Sequence, residues 1–151
     1  MRIAKVYGSH SKHECVMAGW LGQLLEDIPI LRCASDFISS PVHVNDLSRV
    51  IAALIKNDCS GIYHVAGPEA LSRFEMCQTL LNQLHRERSI STRLEAVSID
   101  DFPTLEGRPK NVSMSTDKIK RDTGLEFRNL QSWCEELVNQ ALEEGADHST
   151  A

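Results

Sequence analysis

The chain has 151 residues, 42% hydrophobic and 25% charged, a composition that fits one soluble globular domain able to bury roughly 70% of its unfolded surface. A net charge of -5 argues against a nucleic-acid binder, which needs a clustered basic face, and no apolar run approaches a membrane span. The five cysteines are odd in number, widely spaced and set mostly among apolar neighbours, so they read as reduced core thiols of a cytoplasmic protein rather than disulfides or zinc ligands.

In chain order, Arg2 to Tyr7 read as a strand closed by Gly8 and a polar turn. Val16, Met17, Trp20, Leu21, Leu24 and Leu25 then recur at the spacing of an amphipathic helix. Ile28 to Cys33 fit a short strand, broken by Ser39, Ser40 and Pro41. Asn45 is expected to cap a second helix, with Leu47, Val50, Ile51, Leu54 and Ile55 on one face. A buried strand, Ile62 to Ala66, lies between Gly61 and Gly67-Pro68.

Ser72 and Glu75 have the spacing of a capping box and open a third helix, with Phe74, Cys77, Leu81 and Leu84 inward. Leu94 to Ser98 fit another strand. Val112 and Met114 alternate with polar neighbours as in a half-buried strand, and Ser115 or Thr116 can cap a short helix that stops at Gly124. The last helix carries Leu130, Trp133, Cys134, Leu137, Val138, Ala141 and Leu142, and a disordered tail is expected over 146–151. Strand, helical crossover and second apolar strand are the requirements of a parallel sheet covered by helices, so the fold class is α/β.

Three features carry or exclude chemistry. Pro109 biases Arg108 towards extended backbone, and a guanidinium held at such a corner can make a two-pronged bond to phosphate or carboxylate; the alternative is an arginine on a surface turn. His13-Glu14 begins a zinc-protease pattern, but Met17 stands where the second histidine is needed, so no metal is expected. Lys118, Lys120 and Arg121 alternate with Asp117 and Asp122 and read as a solvated face.

Taken together, RIAKVYG, SPVHVNDLSRVIAAL with GIYHVAGPEALSRFEM, and GRPKNVSMSTDKI with GLEF and Trp133 resemble, in order, the second half of the extended short-chain dehydrogenases. Within them the chain most resembles the branch of the dTDP-4-dehydrorhamnose reductases and related sugar-nucleotide reductases and epimerases. The resemblance implies the last two parallel strands of a Rossmann-like sheet, at 2–7 and 62–66, and a small α/β substrate-binding domain from segments 8–44 and 67–142. The unit would span 1–145 and be incomplete at its amino terminus.

The resemblance also implies an NAD or NADP cofactor in the complete enzyme, yet the Gly-rich turn that cradles its pyrophosphate and the Tyr-x-x-x-Lys acid–base pair are both absent from the sequence. No catalytic residue is therefore assigned, and no cofactor is expected to be held securely by this chain. Val6, Tyr7 and Gly8 would lie near the nicotinamide. Arg108, Lys5, Ser40 and Asp36 would face a nucleotide-sugar ligand, with Arg108 on the diphosphate. Lys5 stands where rhamnose-type reductases tend to carry a tryptophan, a departure that sets the sugar apart.

His43 and His64 are expected to pack, and Asp46 to support its helix from the first turn. The sequence leaves two readings open. One is the substrate half of an enzyme whose missing amino-terminal half supplies cofactor and catalytic pair. The other is a binding or regulatory module, as in the regulatory subunit of methionine adenosyltransferase. An unpaired strand edge would favour self-association in either case.

Overall fold

The structure is a computed structural model that describes residues 1–8 and 15–147. Its first strand is not continuous. β1 (Arg2–Ile3) and β2 (Val6–Tyr7) replace the expected run, because the chain changes partner between them. β1 pairs in parallel with β6 (His64–Val65), whereas β2 pairs in parallel with β5 (Val42–His43). The switch is visible in single bonds: the Ala4 N–H donates to the Val65 carbonyl at 2.9 Å, and the Lys5 carbonyl accepts from the Val42 N–H at 3.0 Å. β6 is accordingly shorter than the run from Ile62 to Ala66, although the Tyr63 carbonyl still accepts from the Arg2 N–H at 2.8 Å.

α1 (Val16–Leu25) turns Met17, Trp20, Leu21 and Leu24 inward, as its spacing requires. β3 (Ile30–Ala34) pairs in parallel with β8 (Arg93–Val97) over five residues, the longest ladder described. The short β4 (Ile38–Ser39) and β7 (Leu71–Ser72) pair antiparallel. The strand expected around Val112 and Met114 is reduced to one bridge, Ile38 with Asn111, flanked by bonds from Ile38 N–H to Lys110 O and from Val112 N–H to Ile38 O. Its alternation reflects one wall of a cleft, not a ladder.

α2 (Val44–Lys56) begins one residue before Asn45. Its cap is His43, whose Nδ1 accepts from the Asn45 N–H at 3.2 Å, a role in which the ring replaces the usual short polar side chain. The apolar residues of α2 divide into two stripes. Val50 is buried and Leu47 and Leu54 pack beside it, whereas Val44, Ile51 and Ile55 are exposed, Ile55 by 76%.

α3 (Arg73–Glu87) has both arms of its capping box: Ser72 Oγ accepts from the Glu75 N–H at 3.1 Å, and Glu75 Oε2 accepts from the Ser72 N–H at 2.7 Å. α4 (Asp117–Thr123) follows Thr116 and ends at Gly124, whose φ of 67° is the left-handed turn that glycine tolerates. α5 (Leu130–Asp147) runs through Ala146 and Asp147, which the sequence places in the tail; 148–151 lie outside the described residues, as does His13-Glu14.

Two apolar clusters hold these elements. The larger joins α1, α3, α5 and β3 through Trp20, Leu24, Leu80, Leu84, Trp133 and Val138; the smaller gathers Val42, Val50, Tyr63, Val65 and Ile119. Gly67 allows a close approach to the Ser40–Pro41 backbone. Its N–H donates to the Ser40 carbonyl at 3.0 Å, and a Cβ there would overlap the Pro41 carbonyl oxygen. All five cysteines are free thiols, and Cys33, Cys77 and Cys134 are wholly buried in or beside the larger cluster. Among the described residues no helix is long and apolar enough to cross a membrane, and no group of three or more metal-binding side chains forms.

Candidate functional site

The end of β1, the segment around β4 and the start of α3 enclose a cleft of about 420 Å³. Its lining is mostly apolar, from Ile3 and Trp20 to Met76, Val112 and Met114, and includes two cations, Lys5 and Arg73, with the Ser39 hydroxyl. Among the described residues, no carboxylate or amide side chain lines it. The Arg73 guanidinium lies 4.8 Å from the centre of the Phe37 ring, within reach of a cation–π interaction, and the Arg73 N–H donates to the Phe37 carbonyl. Partial burial lowers the pKa of Arg73, and the positive charge of Arg108 lowers it further.

Arg108 itself stands exposed on the loop after the 3-10 turn Ile99–Asp101. It lines a second cleft, of about 250 Å³, with Ile99, Phe102, Leu105 and the carboxylate-bearing Asp100 and Glu106. Among the described residues neither Arg73 nor Arg108 has a carboxylate within ion-pair distance.

Asp36 is engaged by residues on either side of the Arg108 loop. Its Oδ2 accepts from Lys110 Nζ at 2.8 Å and Ser98 Oγ at 2.7 Å, and its Oδ1 accepts from the Ile99 N–H at 2.7 Å. Lys110 reaches Asp100 as well, at 3.3 Å. The Lys110 bond, then those from Ser98 and Ile99, hold the Asp36 carboxyl well below the usual carboxylate range. Asp36 thus anchors the Arg108 loop through three donors to its oxygens.

Ser40 is 2% exposed and its carbonyl accepts from the Gly67 N–H, while the preceding residue, Ser39, lines the cleft. Lys5 does reach the cleft. Arg73 and Phe37 are additions that the sequence reading lacks. The available signal was a cation in the first turn of α3, where the helix dipole favours acids.

Beside the cleft, Tyr7 is buried, with its ring 4.2 Å from that of Trp133 and edge-on to His43 at 5.4 Å. Burial raises its pKa, with Asp46 adding to the effect. Burial lowers that of His43, whose Nδ1 is already an acceptor, so the neutral ring carries its proton on Nε2. His43 Nε2 and Trp133 Nε1 have no hydrogen-bond partner among the described residues. Asp46 is structural: it accepts from Arg49 Nη1 at 2.9 Å and from the Arg128 N–H at 2.8 Å, tying α2 to the approach of α5.

These residues do not fit a whole nicotinamide dinucleotide. Val6 packs against the smaller cluster, Tyr7 is closed over by rings, and one side of Gly8 is filled by Val44, where an added Cβ would come within 2.8 Å of Cγ1. No Gly-rich turn into a helix is present to cradle a pyrophosphate.

Parallel strand pairs covered by helices, with a cation-bearing cleft beside them, define the class: an α/β protein with a Rossmann-like fold. The chain belongs to the RmlD substrate binding domain family, whose sequence model matches residues 1–143. It is similar to a dTDP-4-dehydrorhamnose reductase of Sinorhizobium fredii, at 23% identity over 124 residues, covering 78% of this chain and 42% of that protein. The dTDP-4-dehydrorhamnose reductase of Bacillus anthracis, solved in complex with NADP, superposes with a TM-score of 0.76 at 21% identity, over 92% of this chain and 47% of that one. Its counterpart from Clostridium acetobutylicum gives 0.77 at 16%, over 93% and 48%. The chain therefore spans about half the length of the relatives it matches.

Proposed function

We propose that this chain is the nucleotide-sugar-binding portion of an NAD(P)-dependent reductase or epimerase resembling the dTDP-4-dehydrorhamnose reductases. Residues 1–145 would form one unit of that portion. The observation that carries the reading is the set of three cations, Lys5, Arg73 and Arg108, placed around two clefts without a carboxylate partner among the described residues. Arg73 is partly desolvated, and an anionic ligand would offset that cost, while the exposed Lys5 and Arg108 offer donors to the same ligand. Arg108 is the diphosphate grip in this reading, held in place by the Asp36–Lys110 anchor behind its loop.

Hydride transfer then depends on a Gly-rich cofactor turn and a Tyr-x-x-x-Lys pair that residues 1–151 do not contain, so the chain alone is expected to bind without turning over. The wall from Val6 to Gly8 would border the nicotinamide without holding it. The free thiols support residence in a reducing compartment such as the cytoplasm.

Calorimetric titration with uridine and thymidine diphosphate sugars tests the reading. Arg108→Ala is expected to weaken binding about tenfold, the loss of a charge-assisted bond, with an unchanged circular dichroism spectrum. Equal affinity in the variant returns Arg108 to a surface turn. A second reading, a partner-binding module, is favoured by the exposed stripe Val44, Ile51 and Ile55 on α2, and a soluble chain that binds no nucleotide sugar would point to it.

A further inference from the structure

The 420 Å³ cleft has a lining that suits one kind of sugar better than another. A neutral hexose presents hydroxyl groups that seek acceptors as well as donors, so its binding sites normally offer carboxylates, amides and hydroxyls. Among the described residues the polar side chains of the lining are Lys5, Arg73 and Ser39; the cations only donate, and the other described lining residues are apolar or proline. Arg73 is also partly desolvated and lies within the positive field of Arg108. A negative charge delivered into this cleft would relieve both effects and meet two donors at once.

We infer that the cleft between β1 and α3 is a subsite for an acidic sugar, in which Lys5 and Arg73 bind the carboxylate of a nucleoside diphosphate uronate. This rests on the nucleotide-sugar reading, with Arg108 on the diphosphate and the cleft beyond it taking the sugar. Lys5 and Arg73 are then the residues that set sugar specificity. Their charge selects the carboxylate, and the apolar wall formed by Trp20, Met76 and Val112 packs against the ring.

The test compares ligands that differ at one carbon. The full chain is titrated calorimetrically with UDP, UDP-glucose and UDP-glucuronate, and with the thymidine counterparts, at fixed ionic strength. The uronate is expected to bind about tenfold tighter than the hexose on the same nucleotide. In Arg73→Gln and in Lys5→Gln that ratio is expected to fall to about two or below. Lys5 is exposed, so its variant carries the test if Arg73→Gln fails to fold. Equal or weaker binding of the uronate, or a ratio unmoved by either variant, overturns the inference and leaves the nucleotide-sugar reading standing. Absence of binding by every nucleotide and nucleotide sugar overturns both.

Discussion

Asp36 and Lys110 show how a single ion pair can free a neighbouring charge. Lys110 lies two residues beyond Arg108 and would compete for the same anion, but Asp36 and Asp100 hold it. The Asp36 carboxyl is held low in the folded chain, chiefly by Lys110, so its contribution to stability is complete above the unfolded carboxylate value of about 3.9 and is lost as pH falls below it. Asp36→Asn is therefore expected to lower the melting temperature at neutral pH, with the difference from the parent shrinking as pH falls from about 5 towards 2. A pH-independent difference in thermal melts would show that the carboxylate charge is not the cause. The sequence marks Arg108 through the rigidity of Pro109, a local property. It cannot show that Asp36 is already taken, because Lys110 is 74 residues away.

At the scale of elements, what is local was legible and what depends on a distant partner was not. The capping box of α3 is written within four residues, and both of its bonds form. Ser72→Ala is expected to cost about 1 kcal/mol in a urea titration, since it removes the cap of a helix that packs against α5 in the main core. A cost near zero would mean that packing alone fixes the start of α3. The first strand is the opposite case. Its six residues have the right composition, but only β5 and β6 decide that the ladder breaks at Ala4 and Lys5. Lys5, at that break, lines the cleft. The same holds for α2, where five apolar residues gave one expected face and the fold uses only part of it.

For the whole molecule, the order of the segments was enough to recognise the family, which matches residues 1–143. The surface follows from contacts that no order of segments reveals. Among the described residues β1 is paired on one edge only, and Ile3, Ile51, Ile55 and Ile62 are exposed. Such an edge beside apolar side chains favours association. The chain is expected to sediment with a concentration-dependent mass, and Ile55→Glu to reduce that dependence without lowering the melting temperature; a constant monomer mass in the parent would refute this. The cysteines offer a different view of the same body. Hydrogen bonding with Cys33, and then burial, push the Cys77 thiol up, while burial pushes that of Cys134 up to about 12. Protonated and shielded, these sulfurs are inert to alkylation until the surrounding helices separate, whereas Cys59 is only half-buried. The chain thus carries its own clock for opening of the core, read by the rate at which each thiol gains mass in the presence of iodoacetamide.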